Sequence, residues 1–249
     1  MRGWVAGRSV ERLATAAAVG AMVATPFTER GGGSRRTLTT VTVAAGALRT
    51  FAIELREQGA RRAATLASAT VAITAVAEVV GVRFGVPFGR YRYTDALRPT
   101  IATVPVVVPV AWYAVSVPAL VTADTALGAR PSRAARVALG AVAMTAWDLF
   151  LDPQMTAEGY WRWSSAGRYR GVPVRNFAGW ALVASTVMAV GDLASARRVA
   201  PSSHLATYGG LAVLETLAFA TFWRDRVVAL TGGAVMLPIA GLALGRHRR

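Results

Sequence analysis

Four carboxyl groups stand inside apolar runs of this chain: Glu78 in "AVAEVVG", Asp148 and Asp152 in "WDLFLDP", and Glu215 in "LAVLETLAF". Hydrocarbon solvates a charge poorly, so an ionisable group within a membrane span is a functional candidate by default. A carboxyl that burial or a second carboxylate keeps protonated near neutral pH serves as a general acid, and an ionised neighbour serves as a general base. Asp148 and Asp152 are four residues apart and share one face of a helix. Glu78 and Asp148 each lie about one turn before the exit of their run. Asn176, in "VPVRNFAGW", opens the next run from the same side. Three carboxylates and an amide thus converge on one interface. Structural readings stand beside these: Asp152 before Pro153 as a helix end, Glu78 as a polar contact between helices, and Glu215 in a buried ion pair with Arg49, the lone in-run base.

The elements that must carry these groups are membrane spans. Of 249 residues, 54% are hydrophobic and only 16% charged, with a mean hydropathy of +0.41, which is the composition of a polytopic membrane protein. Apolar runs fall at roughly residues 10–27, 37–55, 63–82, 101–121, 134–152, 174–195, 205–223 and 227–245. The expected fold is all-α, a single transmembrane bundle over residues 1–249 with about seven or eight spans. The first run follows a basic start, as a signal does, but lacks a clean small-x-small cleavage site and reads as an uncleaved span.

Cysteine is absent and the two histidines lie outside the runs, which removes disulfide, thiolate and histidine-metal chemistry. The formal charge of +15 comes from arginines in short groups between runs. That placement suits headgroup anchoring and argues against a nucleic-acid partner. The expected location is the cell membrane, multi-pass, with cytoplasmic termini.

Two connections are longer than the rest, "VRFGVPFGRYRYTDALRPT" and "PQMTAEGYWRWSSAGRYRGVPVR". Two spans separate them, so they emerge on one face of the membrane. Tyr91, Tyr93, Trp161 and Trp163 suit an interface where one ring edge is wet, and together the two loops form a roof over the carboxylates.

The stretches "EVVGVRFGVPFGRYRYTDALRPTIATVPVVVPVAW" and "WDLFLDPQMTAEGYWRWSSAGRYRGVPVRNFAGW" resemble the carotenoid biosynthesis membrane proteins of the CruF type. The shared features are a Glu and Gly before "G-x-P-F-G-x-Y-x-Y", a "VP…P-x-A-W" segment, "D-L…D-P", "W-x-W", "G-x-Y-x-G-V-P" and "N-F-x-G-W", all within about residues 78–180. Arg98 and Thr103 stand where the resemblance leads one to expect small residues, which bears on the end group accepted. The family's members are carotenoid hydratases, whose archaeal representatives act in bacterioruberin synthesis. The resemblance therefore implies a lyase that adds water to the terminal (psi-end) double bond of an acyclic or monocyclic carotenoid drawn from the bilayer, alongside other enzymes of that pathway.

Such a reaction needs a proton delivered to carbon, a tertiary cation held briefly and water captured on the more substituted carbon, with no metal or redox cofactor. Asp148, Asp152 and Glu78 are the candidate acids and bases. Tyr91, Tyr93, Trp147, Trp161, Trp163 and Asn176 are the candidate residues for holding polyene, cation and water. Two other functions fit parts of the sequence. "DLFLD" has the D-x-x-x-D spacing of a Mg²⁺-dependent prenyltransferase, with loop arginines for phosphate. A transporter or scaffold would use the in-span acids as proton relays or helix contacts.

Overall fold

A backbone in hydrocarbon must satisfy its own hydrogen bonds, and the apolar runs do so as helices. The computed structural model describes residues 2–194 and 201–248; position 195, the end of the sixth expected run, lies outside them. Among the described residues the helices are α1 (Arg2–Ala24), α2 (Gly33–Gln58), α3 (Ala60–Phe84), α4 (Val107–Leu127), α5 (Arg133–Ala157), α6 (Val174–Ala194), α7 (Ser202–Thr221) and α8 (Arg226–His247). Six of them, α2 to α6 and α8, are long and apolar enough to cross a membrane. The helices α1 and α7 fall short on hydropathy, diluted by Arg8, Glu11 and Arg12 in one and by His204, Tyr208 and Glu215 in the other.

The central helix is α4, with nearly three-quarters of its apolar window buried. It packs on α2, α3, α5, α6, α7 and α8. Leucines and valines on the outer helix faces stay exposed, among them Leu13, Val76, Leu182 and Leu230, as lipid-facing side chains do. The helices α4 and α5 contain prolines, Pro118 and Pro153, and each proline leaves the carbonyl four residues earlier without its helical donor. In both cases a hydroxyl from another element supplies the bond. Thr50 Oγ1 on α2 donates to Ala114 O at 3.0 Å, and the Tyr169 hydroxyl donates to Leu149 O at 2.9 Å. The helix thus passes through Pro153 to Ala157, and Asp152 does not end it.

The fourth expected run is corrected more substantially: residues 101–106 are not helical. Strands β2 (Thr100–Ile101) and β3 (Val104–Pro105) pair antiparallel. Ala102 and Thr103 form the two-residue turn between them at φ of 48° and 70°, the left-handed geometry that tight hairpins demand. Thr103 therefore occupies a backbone position that favours a small residue.

The two long connections meet. Strands β1 (Tyr91–Tyr93) and β4 (Trp161–Trp163) are antiparallel, with Tyr91 opposite Trp163 and Tyr93 opposite Trp161. Side chains alternate across a strand, so in "YRY" and "WRW" the aromatic rings point inward while Arg92 and Arg162 are exposed. This small sheet closes the bundle at one end, at the exits of α3 and α5 and the entries of α4 and α6.

Candidate active site

Glu78 is buried on α3, below β1. The Tyr91 and Tyr93 hydroxyls donate to its Oε2 at 2.5 and 2.7 Å, and Trp112 Nε1 on α4 donates to Oε1 at 3.3 Å. Burial, reinforced by the Glu78 charge, pushes both loop phenols well above the usual tyrosine range, so they remain neutral O–H donors at physiological pH. The loop reaches Glu78 because small residues admit it. Phe88 lies between Gly81 of α3 and Gly179 of α6, close enough that a Cβ on either glycine would come within 2.9 Å of its ring. Gly85, at φ 72°, ends α3 and turns the chain toward β1.

Asp148 and Asp152 are buried one turn apart on α5. Asn176 Nδ2, in the first turn of α6, donates to Oδ2 of both; the contact to Asp148 measures 2.8 Å. A hydrogen-bond donor therefore fills the space between the two carboxyls that a cation bound by the D-x-x-x-D spacing would need. The second oxygen of Asp148 and the Trp147 indole nitrogen are buried with no partner among the described residues.

Aromatic rings surround the acids. Trp112 and Trp180 stack at 3.9 Å between centroids, Trp147 packs edge-on against Trp180 at 5.9 Å, and Tyr91 and Tyr93 meet Trp163 and Trp161 at 5.1 and 5.7 Å. These rings and Glu78, Asp152 and Asn176 line one end of a largely apolar cavity of about 530 Å³, within the usual range for small-molecule sites. From there the cavity runs between α1, α2, α4 and α7, following α7 from Ala206 to Ala218, a length of about 18 Å at helical rise.

The sequence profile of the family described as "Carotenoid biosynthesis protein" matches residues 37–246, which include every site residue named above. The chain belongs to the carotenoid biosynthesis protein family. A bisanhydrobacterioruberin hydratase of Haloarcula japonica is 34% identical over 117 residues, 46% of this chain and 40% of that relative. The aligned stretch thus spans well under two-thirds of the hydratase. No solved structure matches the chain.

In this carotenoid biosynthesis protein, the nine residues expected from sequence come together at one end of the bundle, with a distinction among the acids. Asp152 and Glu78 line the cavity, whereas Asp148 is fully buried behind its lining. The expected Arg49–Glu215 pair is absent. Arg49 instead donates to Thr15 Oγ1 at 2.7 Å and to the Ser203 carbonyl at 3.0 Å, with Glu11 at 3.9 Å, because α1 and the start of α7 flank it. Sequence reasoning missed Trp112 and Trp180 as site residues. Their signal lay in the matched segments "VPVAW" and "NFAGW", where each tryptophan sits one to two turns inside a helix on the side of the loops.

Proposed function

We propose that this protein hydrates the terminal double bond of an acyclic or monocyclic carotenoid, giving a tertiary alcohol. The observation that carries this reading is the placement of two carboxyls at the aromatic-walled end of an elongated apolar cavity, in a member of a carotenoid biosynthesis family. The name of the Haloarcula japonica relative supports the same reaction class. A polyene lies lengthwise in the cavity, entering from the bilayer, and its end meets the acids near the β1–β4 roof, where water has the shortest path in.

Asp152 donates a proton to the less substituted alkene carbon. The electron pair of the double bond forms the new C–H bond and leaves a cation on the tertiary carbon. Facing indole and phenol rings stabilise that cation, each contact contributing on the order of 1–2 kcal/mol when dry. Water adds to the cation, and the proton it sheds returns to the carboxylates, so the acid is regenerated and the net change is the addition of H₂O. Asp148 backs Asp152 as the second member of a pair sharing a proton, and Asn176 fixes both. Glu78, held by two phenols and an indole, positions the incoming water.

Expression in a lycopene-accumulating host tests this. The expected result is a new pigment heavier by one water and bearing a tertiary hydroxyl. Asp152→Asn should abolish it, and Asp148→Asn should reduce it strongly, with both proteins still inserted in the membrane. A longer carbon skeleton would indicate a transferase, and unchanged pigments from well-inserted protein would overturn the enzyme reading.

A further inference from the structure

Among the described residues the cavity has one open side. The lining residues that are also exposed are Val19 and Val23 on α1, Ala206, Gly210 and Leu217 on α7, and Phe222 just past the end of α7. The lining contributed by the other helices and by the roof is buried or half-buried. Helix packing gives the reason. The helix α1 packs on α2, and α7 packs on α4 and α8, but α1 and α7 have no extended packing on each other among the described residues. A slot therefore runs between them along α7 from Ala206 to Leu217, about 16 Å at helical rise.

The slot is fastened at both ends. At the roof end the Phe27 ring, in the short turn after α1, meets Phe222 edge-on with centroids 5.3 Å apart. At the other end Ser203 Oγ donates to Glu11 Oε1 at 2.6 Å, and Arg49 behind them donates to both Thr15 Oγ1 of α1 and the Ser203 carbonyl. Between these fastenings the rim is apolar, and Gly210 leaves room in it: a Cβ there meets nothing within 4 Å. A hydrocarbon crossing such a rim from lipid has no polar group to desolvate. The roof is the opposite case, with Arg92 and Arg162 exposed on its outer face.

We propose that the slot between α1 and α7 is the entrance by which the polyene passes sideways from the bilayer into the cavity, so that these two helices set the rates of substrate uptake and product release. This rests on the carotenoid reading above. Glu78 and Asp152 reach the cavity at its roof end, from α3 and α5, so the chain enters along its length and only its tip meets the acids. A bulkier rim raises the barrier in both directions far more than it alters the bound state, and association and dissociation then slow by the same factor.

Rates separate an entrance from a lining contact. Purified protein in detergent micelles would be mixed by stopped flow with lycopene-loaded micelles, following quenching of the site tryptophans. Dilution into empty micelles then gives the release rate. Gly210→Trp should slow association and dissociation by about tenfold each, with the equilibrium affinity kept within about twofold. Phe222→Ala and Ser203→Ala, which loosen one fastening each, should speed both. Gly20→Trp, on α1 outside the cavity lining and where a Cβ also meets nothing within 4 Å, should change neither. Wild-type rates in Gly210→Trp, or a lost affinity at an unchanged association rate, would overturn the proposal; should that variant not fold, unchanged rates in both loosened variants would do so. Failure of the wild type to bind lycopene would overturn it as well. Hydration assayed in parallel answers separately: rim-dependent rates with no hydration leave the entrance standing and sink the reaction, whereas hydration with rim-independent rates does the reverse.

Discussion

Replacing Gly179 by alanine probes how the aromatic loop is locked to the helices. A Cβ at this position lies 2.9 Å from the Phe88 ring and from the Pro87 carbonyl carbon, and 3.0 Å from Phe88 Cα. Two of these three atoms are backbone, so no rotamer change relieves the contact, and either α6 or the loop must shift. Overpacking of this kind costs about 1–3 kcal/mol, of which the better helix propensity of alanine returns up to about 1 kcal/mol. Asn176 lies three residues earlier on the same helix, so the shift also disturbs its bridge to Asp148 and Asp152. Thermal unfolding in detergent, followed by tryptophan fluorescence, measures the cost. The control is Gly241→Ala on α8, where a Cβ meets nothing within 4 Å. A Gly179→Ala protein as stable as that control, with wild-type turnover, would refute the reasoning.

Tyr169→Phe removes the donor to Leu149 O, the carbonyl that Pro153 leaves free. It should cost about 1–3 kcal/mol, lowering thermal stability and activity together because Asp148 and Asp152 flank that carbonyl; unchanged values would show that the bond is dispensable. Asp225, the N-cap of α8, also pairs with Arg170 at 2.6 Å. Burial alone would raise its carboxyl, but Arg170 and two helix amides outweigh that and hold it below the usual aspartate range. Its contribution is therefore complete above the unfolded value of about 3.9 and is lost as pH falls through the lower folded value. The stability gap between wild type and Asp225→Asn should be open at neutral pH and closed in strong acid; a gap independent of pH would remove the carboxylate from the account.

The features legible in the sequence were those set by local spacing. The spacing of four from Asp148 to Asp152 gives one helix face, and the period-two pattern of "YRY" and "WRW" gives one aromatic side to each loop strand. The count of two spans between the loops gives a common membrane face, which the β1–β4 pairing realises. Contacts that depend on distant partners were not legible. Pro153 reads as a helix stop until the Tyr169 hydroxyl, far along the chain, is seen to serve the freed carbonyl. Arg49 and Glu215 read as a pair because each is a lone charge in a span, and only the packing of α1 against α2 shows that Arg49 is already engaged. Asp148 and Asp152 look equivalent in sequence, and the cavity wall distinguishes them. Trp112 drew no role from the sequence, and only the packing of α4 on α3 brings its indole N–H to Glu78.

The central claim is that water, activated within an acid site, supplies both the oxygen and the new hydrogen of the product. It is tested most directly by incubating the purified protein with its polyene in water labelled with ¹⁸O and deuterium, without oxygen gas, and analysing the product by mass spectrometry. The account predicts one ¹⁸O in the tertiary hydroxyl and one deuterium on the adjacent carbon, and neither with the Asp152→Asn protein. A hydroxyl that forms only when oxygen gas is present and carries no label from water would contradict it.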